Sequence, residues 1–296
     1  MELRTLEYFL AVAREESILR ASNYLHLTQP TLSRQMHDLE EELGKQLFIR
    51  GNRKITLTED GALFRQRASE ILMLVRKTRD ELSDKEDAAS GDIFIGASEM
   101  DSFKSFARAA ERLRESSPNV CFHLYTGDGI QQLEMLDSGL IDFALLIEPT
   151  DVKQYDFLYK PAAETCGVIM RRDSPLAQKE RIRPEDLKDL PLVMPRQFME
   201  HGFFSKWIGE MMENLHIVAT ADLPYNVAVM VAQGLGYAIC LNFDLMVSNS
   251  PDSTLCFRPL EPALETGVYI VWKKYRVFPK APELFLEQVR REVDRN

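Results

Sequence analysis

Ser17-Ile18-Leu19-Arg20-Ala21-Ser22-Asn23-Tyr24-Leu25-His26-Leu27-Thr28-Gln29-Pro30-Thr31-Leu32-Ser33-Arg34-Gln35-Met36, continued by Leu39-Glu40-Glu41-Glu42-Leu43-Gly44, is the stretch on which the reading of this chain turns. Ser17 offers an N-cap before Ile18, Ala21 and Leu25. Thr28 offers a second before Leu32, Met36, Leu39 and Leu43, and Gly44 supplies a C-terminal stop. Two helices joined by a short turn, over about residues 18–37, expose the start of the second helix, the part that enters the major groove in a helix-turn-helix. The candidate DNA contacts there are Thr28, Gln29, Pro30, Thr31, Ser33 and Arg34. Gln29 can pair bidentately with adenine, Arg34 with guanine or a phosphate, and Thr31 and Ser33 with either. Pro30 suits a first helical turn because its missing N–H has no intrahelical acceptor there.

Outward from this pair, Leu3, Leu6, Phe9, Leu10 and Ala13 recur at spacings of three and four and predict a preceding helix. Downstream, Leu47-Phe48-Ile49-Arg50 and Arg53-Lys54-Ile55-Thr56-Leu57 read as two short strands around Gly51-Asn52. Arg50, Arg53 and Lys54 make a basic wing able to grip the sugar-phosphate backbone. Residues 1–58 therefore read as a winged helix-turn-helix of all-α type. Thr58 begins a further helix, with Glu59 and Asp60 at its positive end. Over residues 59–87, Phe64, Ala68, Ile71, Val75, Thr78 and Leu82 form a heptad-like seam, which predicts pairing with a second copy; the alternative is an amphipathic helix lying on its own core. Ala88-Ala89-Ser90-Gly91 reads as a hinge.

From Asp92 onward the pattern changes. Apolar runs at 93–96, 120–124, 143–147, 167–170, 192–194, 236–241 and 268–272 alternate with helical stretches and predict a parallel sheet with crossover helices. A segment of residues 91–296 is long enough for two lobes.

The chain has 296 residues, 45% hydrophobic and 28% charged, which fits about two globular domains. Its net charge is −10, yet residues 1–58 carry eight Lys/Arg against eight Asp/Glu and residues 89–296 carry 22 against 30. The acidity thus belongs to the C-terminal part, and a nucleic-acid contact would use a local surface near the N-terminus. Cys121, Cys166, Cys240 and Cys256 are far apart, without a CxxC pair, and are expected to be buried, inert thiols in apolar strands. His123 and His201 are expected to be structural or solvated, and no metal or cofactor is expected. No apolar run is long enough to span a bilayer, and the N-terminus has no signal-peptide pattern, so the expectation is a cytoplasmic protein without a membrane partner. GxSxG, P-loop and HExxH motifs are absent, and no GxGxxG follows the first strand, which speaks against an enzyme.

The pattern Ala21…Leu25…Thr28-Gln29-Pro30…Ser33-Arg34-Gln35…Leu39-Glu40…Leu43-Gly44…Leu47-Phe48…Arg50…Leu57-Thr58…Gly61 resembles the LysR-type transcriptional regulators. Ser22 departs from it where the family usually has a second Ala, and Asn242 where it often has Pro. The resemblance implies a dimerising linker helix over 59–87 and a two-lobed α/β effector domain of periplasmic-binding-protein type, with lobe I at 91–161 plus 266–296 and lobe II at 162–265. It also implies Ser98, Glu99 and Thr126 at the mouth of a cleft, facing Met194, Pro195, Arg196 and Gln197. Ser98, Thr126 and Arg196 would converge on a carboxylate or other oxyanion. The neighbouring acids Glu99, Asp101, Asp128 and Glu148 leave an amine or a polyol open. Ser98 or Thr126 could instead be a helix N-cap, and Arg196 an exposed loop cation.

The implied function is a ligand-responsive transcription factor. It would bind double-stranded operator DNA at an interrupted palindrome as a dimer or dimer of dimers, sense a small polar metabolite, and contact RNA polymerase if it is an activator. The alternatives are a DNA-binding regulator without an effector, a solute-binding protein and an enzyme.

Overall fold

The computed structural model describes residues 1–51, 54–82, 90–200, 202–243 and 253–294. The chain divides into two units, Met1–Asp84 and Lys85–Asn296.

In the first unit, local capping chemistry sets the helix boundaries. Helix α1 (Leu3–Glu15) is followed by α2 (Ile18–Tyr24), whose N-cap Ser17 accepts the Arg20 N–H at 3.3 Å. Helix α3 (Gln29–Leu43) is capped by Thr28 and ends at Gly44, which takes the left-handed conformation (φ 62°) that a Cβ disfavours. Leu6, Phe9, Val12, Ala21, Leu32, Met36 and Leu39 bury the inward faces of all three helices in one core. Ser22 is buried too, its hydroxyl donating to the Leu19 carbonyl at 2.9 Å, so the departure from Ala leaves no polar atom unpaired.

Strands β1 (Phe48–Arg50) and β2 (Ile55–Leu57) pair antiparallel, Phe48 opposite Leu57. The Glu40 carboxylate ties this ribbon to α3 by accepting the N–H groups of Leu47 (2.7 Å) and Phe48 (3.0 Å).

Helix α4 (Glu59–Glu81) starts at Thr58, whose Oγ1 accepts the Gly61 N–H and donates to the Gln46 carbonyl. Gly61 packs so closely on the Leu47 carbonyl that a Cβ would overlap it. The helix does not present the expected seam as a whole. Phe64 meets Phe9 edge-to-face at 4.7 Å and Ala68 is fully buried, so both belong to the core of their own unit. Periodicity located the apolar face correctly but could not say that α1 covers its first half. Val75 is half-buried, whereas Leu63, Ile71, Leu74 and Leu82 are exposed. Residues 83–89 lie outside the described part, and with them Ala88 and Ala89 of the expected hinge.

The second unit contains β3 (Gly91–Ala97), α5 (Phe103–Ser116), β4 (Val120–Thr126), α6 (Gly129–Asp137), β5 (Phe143–Ile147), β6 (Tyr155–Arg171), β7 (Leu192–Pro195), α7 (Arg196–Glu200), α8 (Phe203–Ile208), β8 (Ile217–Ala221), α9 (Pro224–Ala232), β9 (Tyr237–Leu241), β10 (Leu255–Pro259), β11 (Glu265–Lys273) and α10 (Lys280–Asp294). The strand order is β4-β3-β5-β11-β6-β9-β7-β8, with β10 also on β6. The sheet is mixed rather than parallel. Among the described strands, parallel ladders join β3 to β4 and β5, and β7 to β8 and β9. The long β6 carries the chain from one lobe into the other and β11 brings it back, so these strands pair antiparallel with each other and with their neighbours.

Phe106, Phe143 and Phe285 centre the core of the first lobe, and Leu192, Met194, Phe198 and Phe204 that of the second. Cys166, Cys240 and Cys256 are buried in or beside the second lobe's sheet, and burial pushes the Cys240 thiol up to about 12. Cys121 departs from expectation: it is exposed, because β4 is an edge strand and Cys121 is on its open face. Among the described residues, no helix is long and apolar enough to cross a membrane.

Candidate functional site

Two surfaces carry chemistry, one on each unit. On α3 the buried residues Leu32, Met36 and Leu39 turn one side inward. This leaves Gln29, Pro30, Thr31 and Arg34 exposed at the amino end and Ser33 half-buried. Asp38, Glu41 and Glu42 are exposed toward the carboxyl end. The polar and cationic groups are therefore gathered where the helix dipole is positive, and the acids lie where a phosphate would be repelled. Arg34 pairs with Asp38 at 3.8 Å with the guanidinium side chain 82% exposed, a pairing worth little in water and easily exchanged. The Thr28 hydroxyl accepts the Thr31 N–H at 3.4 Å and shares a hydrogen bond with the Thr31 hydroxyl at 2.8 Å, so it shapes the helix start.

In the wing, Lys54 is exposed and paired with Glu16 at 3.3 Å, and the Ile55 N–H donates to the Glu16 carbonyl. Arg50 closes β1, while Arg53 lies outside the described residues.

The second surface is a cleft formed by two adjoining cavities that share Ser98, Ile147, Gln197 and Phe198. One cavity is closed by Glu99 from the loop after β3, by Met194 and Pro195 at the end of β7, and by Asp222, Leu223 and Pro224 leading into α9. The other runs under α6 and the loop Glu148–Pro149–Thr150–Asp151. The ends of β3, β5, β7 and β9 thus meet at one place, as expected of a crevice at strand carboxyl ends.

Of the anticipated cleft residues, Ser98, Glu99, Met194, Pro195 and Gln197 line this space. Thr126 and Arg196 do not: each is exposed, and Arg196 turns its guanidinium to Asp222 at 3.4 Å. Ser98 is no helix cap, since α5 begins at Phe103; its hydroxyl donates to the Gly127 carbonyl at 2.7 Å. Helix α6 is capped by Asp128, which accepts the Gln131 N–H at 2.8 Å.

Of the four acids expected at the site, Glu99 and Glu148 line the cavities and Asp101 and Asp128 do not. Asp101 pairs with Lys104 at 3.1 Å, and Glu148 accepts the Tyr159 hydroxyl at 2.8 Å, which raises that phenol's pKa. Glu99 reaches across the cleft and accepts the Tyr225 N–H on the first turn of α9 at 3.2 Å. Asp222 to Pro224 were not anticipated. Pro224, at a first helical turn, is the one local signal that a helix start lies there, but nothing local points that start toward Ser98.

Comparison with known proteins adds the following. The family model described as "Bacterial regulatory helix-turn-helix protein, lysR family" matches residues 3–62, and "LysR substrate binding domain" matches residues 86–294. The HTH-type transcriptional activator IlvY of Haemophilus influenzae is 28% identical over 275 residues, covering 90% of this chain and 93% of the relative. The HTH-type transcriptional regulator YtlI of Bacillus subtilis is 31% identical over 235 residues, covering 77% and 75%. Full-length CbnR complexed with its target DNA superposes with a TM-score of 0.74 at 20% identity, covering 99% of this chain and all of that one, a likeness of fold.

Proposed function

Because this chain belongs to the LysR family of transcriptional regulators, we propose that its α3 reads an operator half-site while its cleft senses a small polar molecule that is neutral or amine-bearing. Gln29, Thr31, Ser33 and Arg34 are the base-reading candidates, and Arg50, Arg53 and Lys54 the phosphate-gripping ones. Two copies, joined through the exposed apolar residues of α4, present two recognition helices and so require an interrupted palindrome. Ile71, Leu74 and Leu82 carry this pairing, with Val75 at its border; Phe64 and Ala68, already covered by α1, do not.

One observation supports the ligand class. The cavities are lined by Glu99, Asp222, Glu148 and Asp151, and by no Lys or Arg among the described residues. A carboxylate ligand would meet these acids with Arg196 already paired to Asp222. An amine or hydroxyl would find acceptors in Ser98, Gln197 and the free oxygen positions of the carboxylates, with an apolar wall from Met194, Phe198 and Leu223.

The test uses the full chain with a duplex selected from a random library. Anisotropy reports DNA affinity, while the fluorescence of Trp207 and Trp272, both in the second unit, follows that unit's melting. Amines or polyols should raise its melting temperature and change operator affinity together, since a ligand shifts an equilibrium only by its differential affinity for the two states. A response restricted to small carboxylates would overturn the proposed ligand class.

A further inference from the structure

The cleft is not the only place where ligand atoms converge. On the open edge of the first lobe, β4 runs parallel to β3 with Asp92 opposite Cys121 and Phe94 opposite His123. Cys121 and His123 are two residues apart on a strand and so project from one face. The Asp92 carboxylate, the Cys121 Sγ and a His123 ring nitrogen all lie within 4.8 Å of one another. His123 Nε2 is 3.0 Å from Asp92 Oδ1, and its ring is stacked on Phe94 at 4.7 Å, which fixes the direction of that nitrogen. None of the three residues lines either cavity of the cleft.

We propose that Asp92, Cys121 and His123 form a site for a borderline-soft divalent metal ion of the zinc type, with its fourth position open to water. The residue types are those zinc takes: one thiolate, one imidazole and one carboxylate. Bond lengths of about 2.0–2.2 Å to nitrogen and oxygen put two such ligands of one ion roughly 3.0–3.5 Å apart. The His123–Asp92 pair already has this separation, and an ion would take the place of the hydrogen bond between the two atoms, the neutral ring carrying its one proton on Nδ1. Cys121 completes the set by a side-chain rotation, which an exposed edge position leaves room for. On binding, its thiol releases a proton to solvent as the sulfur–metal bond forms.

Asp92 lies on β3, the first strand that the chain enters after α4, and Cys121 and His123 lie on β4 beside it. An ion there would tie β3 to the edge strand β4, independently of what occupies the cleft.

The full-length protein, stripped with a chelator and kept reduced, is titrated with Co(II) and then with Zn(II). The expected result is one ion per chain, with a thiolate-to-cobalt charge-transfer band that Zn(II) abolishes. Cys121→Ser should remove the band, because the other three thiols are buried. Asp92→Asn and His123→Ala should each weaken Zn(II), measured by competition with a chromophoric chelator, by at least the roughly 10- to 100-fold that loss of outer-shell support alone costs a metal site. Unchanged Trp207 and Trp272 fluorescence establishes that the variants fold. Absence of the band in the parent, its persistence in Cys121→Ser, or parental affinity in both other variants would overturn the site.

Discussion

Replacing Glu40 tests how the wing is held against the recognition helix. Its carboxylate receives two N–H groups, from Leu47 at 2.7 Å and Phe48 at 3.0 Å, and both donor residues are buried, at 1% and 4% exposure. Hydrogen bonds to a charged acceptor contribute about 1.5–3 kcal/mol each, and a buried donor left unpaired costs a similar amount. Glu40 is only half-buried, and the two bonds share one acceptor atom, so their loss is not additive. Glu40→Ala should then cost about 2–3 kcal/mol, and Glu40→Gln, which keeps an acceptor but loses the charge, about 1 kcal/mol. Both tryptophans lie in the other unit, so their fluorescence should not register either change. The appropriate readout is amide hydrogen exchange of β1 and α3 by mass spectrometry, combined with operator binding. In Glu40→Ala, exchange at Leu47 and Phe48 should accelerate by roughly 30- to 150-fold, the range that 2–3 kcal/mol of local opening corresponds to. DNA affinity should fall as the wing loses its position. Parental exchange at these two amides, with parental DNA affinity, would refute the reasoning that this side chain anchors the wing.

Other perturbations separate the remaining parts. Leu74→Asp places a charge on the exposed apolar stripe of α4 without touching the core residues Phe64 and Ala68, so sedimentation should show smaller species while exchange protection of α1 to α3 is kept. Arg34→Ala should cost roughly 1–3 kcal/mol on the selected operator and relax its sequence preference, whereas Lys54→Ala should weaken all duplexes alike and flatten the salt dependence. Burial pushes the Glu164 carboxyl above its usual value, so its ionisation opposes folding. The stability it contributes is complete below the ordinary glutamate pKa and is lost as pH rises through the raised one. Glu164→Gln should therefore melt higher than the parent at pH 7 and show a flatter pH dependence above the ordinary value, followed by Trp207 and Trp272 fluorescence.

What could be read from the sequence depended on the range of the interaction involved. Ser17, Thr28, Gly44 and Thr58 act on backbone groups within about one helical turn of themselves, and each caps or ends a helix where its type and position predict. The first two helices and the recognition helix were legible for the same reason. Helix α4 was legible as a helix but not in its partners: the spacing of Phe64, Ala68 and Ile71 is the same whether the face meets α1 or another copy, and the fold divides it between covered and open halves. In the second unit the buried strands stood out as apolar runs. Strands β8 and β10 and the first half of β6 did not, because Thr220, Arg258, Lys160 and Pro161 interrupt them. The cleft was legible on one wall only. Ser98 and Gln197 follow strand ends that the pattern marks, but the Asp222–Pro224 wall is placed by long-range packing, and the pairing of Arg196 with Asp222 depends on it.

The loop from Ser98 to Ser102 shows how occupancy of the cleft can reach the rest of the unit. Its first residue lines both cavities. Its second, Glu99, bonds to the Tyr225 N–H in the opposite lobe. Its last, Ser102, donates its N–H at 2.6 Å to Glu164, the buried carboxylate of β6 paired with Thr266 of β11. Immediately beyond, the Thr165 carbonyl receives the Asn242 N–H at 2.8 Å, a bond that a proline at 242 would lack, and the Cys166 N–H donates to Leu264. One short loop is thus connected to the ligand space, to the facing lobe and to the two strands that join the lobes. A ligand that competes with Tyr225 for Glu99, or that draws Ser98 away from Gly127, acts on a segment whose other end is bonded to the hinge strands. It also reaches both lobe cores, because Met100 of this loop belongs to the apolar cluster around Phe285 and Cys166 to the one around Phe204. Differential binding to two lobe arrangements is all that regulation requires of it.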